Sequence, residues 1–144
     1  MRVVVQKCLR ASVTIDNKIY NKINNGYMLL VAFTQGDDAS KIDWMINKIT
    51  HLRIFEDVNN VMNLSILDVK GEILSISQFT LYGDATNGNR PSYTKALNGT
   101  EAIHLYEEFN NKMNSYVPTK TGIFGADMKV ELINNGPTTI ILEK

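Results

Sequence analysis

The sequence holds one cysteine, Cys8, so it offers no intrachain disulfide and no thiolate metal site. A reducing, cytoplasmic setting is the simplest expectation. Histidine is scarce as well: His51 and His104 are the only two. Each fits an ordinary helix position, and no ligand spacing links them to each other or to carboxylates. No metal and no cofactor is expected. An excess of charge of one sign is also missing. Fifteen Lys and Arg balance 15 Asp and Glu, which argues against a strongly electrostatic nucleic-acid binder, and DNA is not an expected partner. No stretch approaches the roughly 18 consecutive apolar residues of a membrane-spanning helix. The opening Met1-Arg2-Val3-Val4-Val5-Gln6-Lys7 turns polar too soon, and lacks the small-residue cleavage site, for a signal peptide. What is present in quantity is apolar residues, 44% of 144. That suffices for one core, and residues 1–144 read as a single domain.

The apolar pattern alternates between two periods. Val3 to Val5 reads as a buried strand. Ala11 to Ile15 alternates, and Asp16-Asn17-Lys18 turns it into a partner at Ile19 to Ile23. Tyr27 to Phe33 is a long apolar strand. Ile42, Met45, Ile46, Ile49 and Leu52 then share one helix face, with Asp38 or Ser40 as the cap. Arg53-Ile54-Phe55 reads as a short strand. Ile66 to Val69 and Glu72 to Ser77, around Gly71, read as a hairpin-like pair. A second helix is predicted over about Thr100 to Ser115, capped by Thr100 or Asn98. Thr121 to Asp127 reads as a Gly-bounded loop. Met128 to Ile133 and Thr138 to Leu142 read as two strands joined by a turn at Asn134-Asn135-Gly136-Pro137. The order predicts an α+β domain: a curved, partly closed, barrel-like and mainly antiparallel sheet with two packed helices.

The densest polar cluster sits where one strand ends. Ser75, Ser77, Gln78 and Thr80 crowd the end of the Ile73–Ser77 strand, before the flexible loop Tyr82 to Gly88. Polar groups where a strand meets a loop are a common way to present a site. This stretch holds no His, Cys, Asp or Glu. Thr80 as a nucleophile needs a neighbouring base, and none is visible between Ser75 and Leu81. Ser77, Gln78 and Thr80 therefore read either as a hydrogen-bonding platform or as groups that satisfy backbone at a strand end. Cys8 reads as a small core thiol. Gly136-Pro137, taken alone, reads as a turn.

Several segments together resemble the D-aminoacyl-tRNA deacylase family. They are Val5-Gln6-Lys7 with Arg10-Ala11-Ser12-Val13, then Arg53-Ile54-Phe55, then Met62-Asn63-Leu64. The more specific ones are Ser77-Gln78-Phe79-Thr80-Leu81, Arg90-Pro91-Ser92, Thr121 to Met128 and Asn134-Asn135-Gly136-Pro137-Thr138-Thr139. Asn135, Thr138 and Tyr93 stand where the family commonly has Asp, Val and Phe. The resemblance implies hydrolysis of the ester between a D-amino acid and the tRNA 3′ end, with glycyl-tRNA also accepted. It implies a homodimer in which the Gly136-Pro137 turn, in cis, enters the other subunit's pocket and excludes L-residues. It implies catalysis aided by the tRNA 2′-OH, with backbone N–H groups around Phe79 and Thr80 as the oxyanion site. Ser77, Gln78 and the Thr80 hydroxyl would position the substrate. Arg90 and Lys95 are candidate tRNA contacts.

Overall fold

The computed structural model describes residues 1–144. Its frame is one long strand, β1 (Arg2–Ile15). The two-residue turn Asp16-Asn17, with φ of 50° and 60°, starts β2 (Lys18–Ile23). Positive φ at both central residues is the hairpin geometry that matches strand twist. β3 (Gly26–Ala32) follows almost at once. Together β2 and β3 retrace β1: Ala11 opposes Ile23, and Cys8 opposes Gly26. The last strand, β8 (Lys129–Glu143), lies along the other edge of β1.

The remaining strands widen the sheet. Helix α1 (Ala39–His51) and the small pair β4 (Phe55–Glu56) and β5 (Met62–Leu64) precede β6 (Glu72–Ser77). Helix α2 (Gly99–Asn114) precedes β7 (Thr119–Thr121). β6 joins β3 in parallel, and β7 joins β6 in parallel. The β2 half then curls back toward β6 and β7. Asn21 Nδ2 donates to Thr121 O at 2.6 Å, and Lys120 Nζ donates to Lys22 O at 2.8 Å. The result is a nearly closed, barrel-like mixed sheet with both helices on one side.

Three local expectations change. Ile66 to Val69 is a turn, not a strand, and β6 pairs with β3 in parallel. A parallel partner needs a crossover connection, which α1 supplies. The short strand at 53–55 lies instead at Phe55–Glu56. Asn134 to Pro137 does not join two strands: β8 runs through it and pairs with β1 on both sides.

Both faces of β3 are covered, as its unbroken apolar run requires. Tyr27, Leu29 and Val31 face the helices, against Ile42, Met45, Ile46 and Ile49 of α1 and Phe109 and Met113 of α2. Met28 joins Cys8, Ala11, Val13, Ile23, Leu74 and Ile76 in a second cluster. Cys8 is wholly buried there, and burial pushes its thiol up to about 11. The helices begin on side-chain caps: Asp38 accepts from Ser40 N and Lys41 N, and Asn98 accepts from Glu101 N.

Gly26 marks the closest backbone approach. A Cβ there would collide with the Glu72 carbonyl oxygen, which is backbone and cannot swing aside. Gly26→Ala is expected to destabilise at or above the upper end of the about 1–3 kcal/mol seen for overpacking, read as a lower urea midpoint at unchanged slope.

Candidate active site

The last ladder bond of β6 runs from Gln78 N to Val31 O, 2.8 Å. Directly after it the chain tightens into a 3₁₀ turn, Phe79–Tyr82. Leu81 N donates to Gln78 O at 3.2 Å, and Gly83 N donates to Thr80 O at 2.9 Å. The N–H groups of Phe79 and Thr80 have no protein acceptor, as the first donors of any helical turn must. Gln78 Nε2 donates to Thr80 Oγ1, so these two side chains act as a unit. Phe79 and Thr80 are exposed, while Ser77 and Gln78 are half-buried.

A cavity of about 620 Å³ opens beside this turn. Val31, Phe33 and Ile76 form its apolar floor, and Ser77, Gln78 and Phe79 form one wall. Tyr93, Ala96 to Gly99 and Phe124 to Met128 form the others. Its size is that of a single small-ligand site, and its lining is mostly apolar with a few polar groups.

Two contacts hold the turn that the sequence did not reveal. Arg2 Nη1 donates to Leu81 O at 2.5 Å, and Arg2 Nη2 reaches both carboxylate oxygens of Glu143 at 2.9 and 3.0 Å. The guanidinium also lies 4.7 Å from the centre of the Tyr82 ring. From beneath, Tyr106 Oη donates to Ser75 O at 2.8 Å. Arg2 therefore links the turn to the first and last strands, and α2 supports the strand that delivers it.

The other expected residues lie apart. Gly136 and Pro137 are exposed on β8, and the bond between them is cis. Between Gln6, opposite Thr139, and Cys8, opposite Asn134, the longer β8 segment bulges outward. Asn134 Nδ2 donates to Thr139 Oγ1 at 3.0 Å, and Thr139 Oγ1 donates to Pro137 O at 3.3 Å. No residue from Asn134 to Thr138 lines the cavity. The pairing register explains why. Ser77 is level with Val31, Val3 and Leu142, whereas the bulge is level with Lys7. Gln78 and the bulge thus differ by five residues of strand rise, about 17 Å.

Of the two cations, Arg90 is exposed and forms no ion pair. Lys95 is held by Asp84 at 2.9 Å, so it is less free to meet phosphate. Hydrogen bonds from Thr86 and Lys95 keep the Asp84 carboxyl well below the usual carboxylate range.

A family model described as D-Tyr-tRNA(Tyr) deacylase matches residues 4–143. The chain belongs to that family. It is a deacylase: a hydrolase of the ester bond in D-aminoacyl-tRNA. A solved structure described as c-Myc DNA Unwinding Element Binding Protein is 36% identical, with a TM-score of 0.95 over 100% of this chain and 99% of that one. A second, described as a probable eukaryotic D-amino acid tRNA deacylase, is 18% identical, with a TM-score of 0.84 over 98% of this chain and 97% of that one. At that identity it supports the deacylase fold. No helix is long and apolar enough to cross a membrane.

Proposed function

We propose that this deacylase removes D-amino acids, and glycine, from tRNA at a site that two copies of the chain build together. The observation that carries the proposal is the separation just described. The free N–H groups and the cavity sit at one level of the sheet, and an exposed, braced bulge sits about 17 Å away along the strands. The two meet only if the bulge of one subunit enters the cavity of another, in a homodimer. Carbonyls of the incoming turn would then occupy the space that an L-side chain needs. Discrimination of this kind penalises the wrong ligand and does not reward the right one. Glycine has nothing to exclude, so glycyl-tRNA is a substrate on this reading.

The chemistry follows from what the turn offers. Water adds to the ester carbonyl, and the tRNA's own 2′-OH assists proton transfer from that water toward the departing 3′-oxygen. The N–H groups of Phe79 and Thr80 receive the developing oxyanion. Gln78 and Thr80, bonded to each other, and the half-buried Ser77 orient the substrate. Arg90 is the cation best placed for the RNA backbone. With net charge zero, the protein engages mainly the tRNA 3′ end.

Incubation with D-Tyr-tRNA and L-Tyr-tRNA tests the reading. The wild-type chain is expected to hydrolyse the D-ester and spare the L-ester. Thr80→Ala is expected to retain activity within about tenfold of wild type, since Thr80 has no base to activate it. Abolished activity in Thr80→Ala, with a trapped adduct in the wild type, would instead make Thr80 the nucleophile. Equal cleavage of both esters would remove the chiral filter.

A further inference from the structure

Two aromatic rings beside the cavity remain outside the core. Phe79 is 56% exposed and Tyr93 is 41% exposed. Their centroids lie 5.1 Å apart with the planes at 71°. Both line the cavity, yet each keeps a large fraction of its surface in water. Neither ring is loosely held. Phe79 rides on the 3₁₀ turn that Arg2 ties down. Tyr93 follows a two-way backbone bridge between Asp84 and Ser92, both bonds 2.8 Å. Its ring also lies close over Gly83, where a Cβ would come within 3.0 Å of it.

We infer that Phe79 and Tyr93 form a stacking shelf for the unpaired nucleobase that precedes the terminal nucleoside of the tRNA. This rests on the deacylase reading. The cavity has the volume for one aminoacylated nucleoside, and the RNA strand must leave through its mouth. Single-stranded bases are held by stacking on aromatic side chains, a contact that tolerates any base. Arg90, exposed and three residues before Tyr93, is placed to meet the intervening phosphate. An enzyme that must act on many tRNAs needs this kind of grip, because their 3′ ends are alike and their bodies differ.

The test compares two substrates that differ only in this contact. One is D-Tyr-tRNA, and the other is the D-tyrosyl ester of adenosine, which has no preceding nucleotide. Tyr93→Ala is expected to raise KM for the tRNA about 5- to 150-fold more than KM for the adenosine ester, the range for losing one stacked base. Tyr93→Leu keeps apolar bulk without a π face and is expected to show the same selective loss. Tyr93→Trp is expected to restore tRNA binding. Equal losses on the two substrates, or no loss on either, would overturn the shelf. So would dissociation of the Tyr93→Ala protein into monomers by light scattering, since the ring would then serve a subunit contact. If the wild-type chain cleaves neither D-ester, the deacylase reading itself fails.

Discussion

Phe79→Pro is expected to lower kcat on D-Tyr-tRNA by about 10²–10³-fold relative to Phe79→Ala. Loss of one oxyanion donor has that size. Both variants lack the ring, so their difference isolates the backbone N–H. Proline is tolerated at this position for a physical reason. Phe79 opens the 3₁₀ turn, where proline's fixed φ suits the helix and the missing N–H had no partner within the fold. Gln78, the preceding residue, already has φ −149° and ψ 80°, outside the helical region that a following proline disfavours. The comparison is made by single-turnover kinetics, with thermal melts showing that both variants fold. Equal rates would take the Phe79 N–H out of the chemistry.

Gly136→Ala is expected to lower the ratio of D- to L-Tyr-tRNA hydrolysis at least about tenfold, a change of about 1.4 kcal/mol in discrimination. Gly136 has φ of +119°, a region that L-residues rarely adopt. A Cβ there would also run into Thr138 Oγ1 and approach Thr138 N at 2.8 Å. The added methyl cannot be absorbed by a side-chain rotation alone, so the carbonyls proposed to face the substrate must move. A D-side chain is not the group those carbonyls are proposed to exclude, so hydrolysis of the D-ester is expected to change far less. A D-to-L ratio equal to wild type would show that the bulge does not set chirality.

The sequence made the helices and the polar strand end easy to find, because each depends on neighbours in the chain. The apolar face of α1 repeats with the helical period, and Asp38 and Asn98 are strong caps. The cluster at Ser77, Gln78 and Thr80 stood out for its polarity. Features set by pairing were harder. Asn134-Asn135-Gly136-Pro137 has the composition of a turn, and only the long ladder to β1 shows that one strand passes through it. Ile66 to Val69 has strand-like residues, but β3 offers β6 a longer apolar partner. Arg2 gave no signal at all. Its contacts lie 79 and 141 residues away in the chain, and no local pattern records such distances. The cavity wall at Ala96 to Gly99 was likewise silent, since it is assembled by packing.

The claim that two subunits build each site is tested most directly by mixing defects. Chains carrying Gly136→Ala have an intact cavity and an altered bulge. Chains carrying Phe79→Pro have the reverse. The two are co-expressed with the Phe79→Pro chain in excess, and hydrolysis of both esters is measured per Gly136→Ala chain. Sites completed in trans predict that L-Tyr-tRNA cleavage falls toward the wild-type level while D-Tyr-tRNA cleavage persists, because each intact cavity now faces an intact bulge. L-Tyr-tRNA cleavage that stays constant at every mixing ratio would contradict the account.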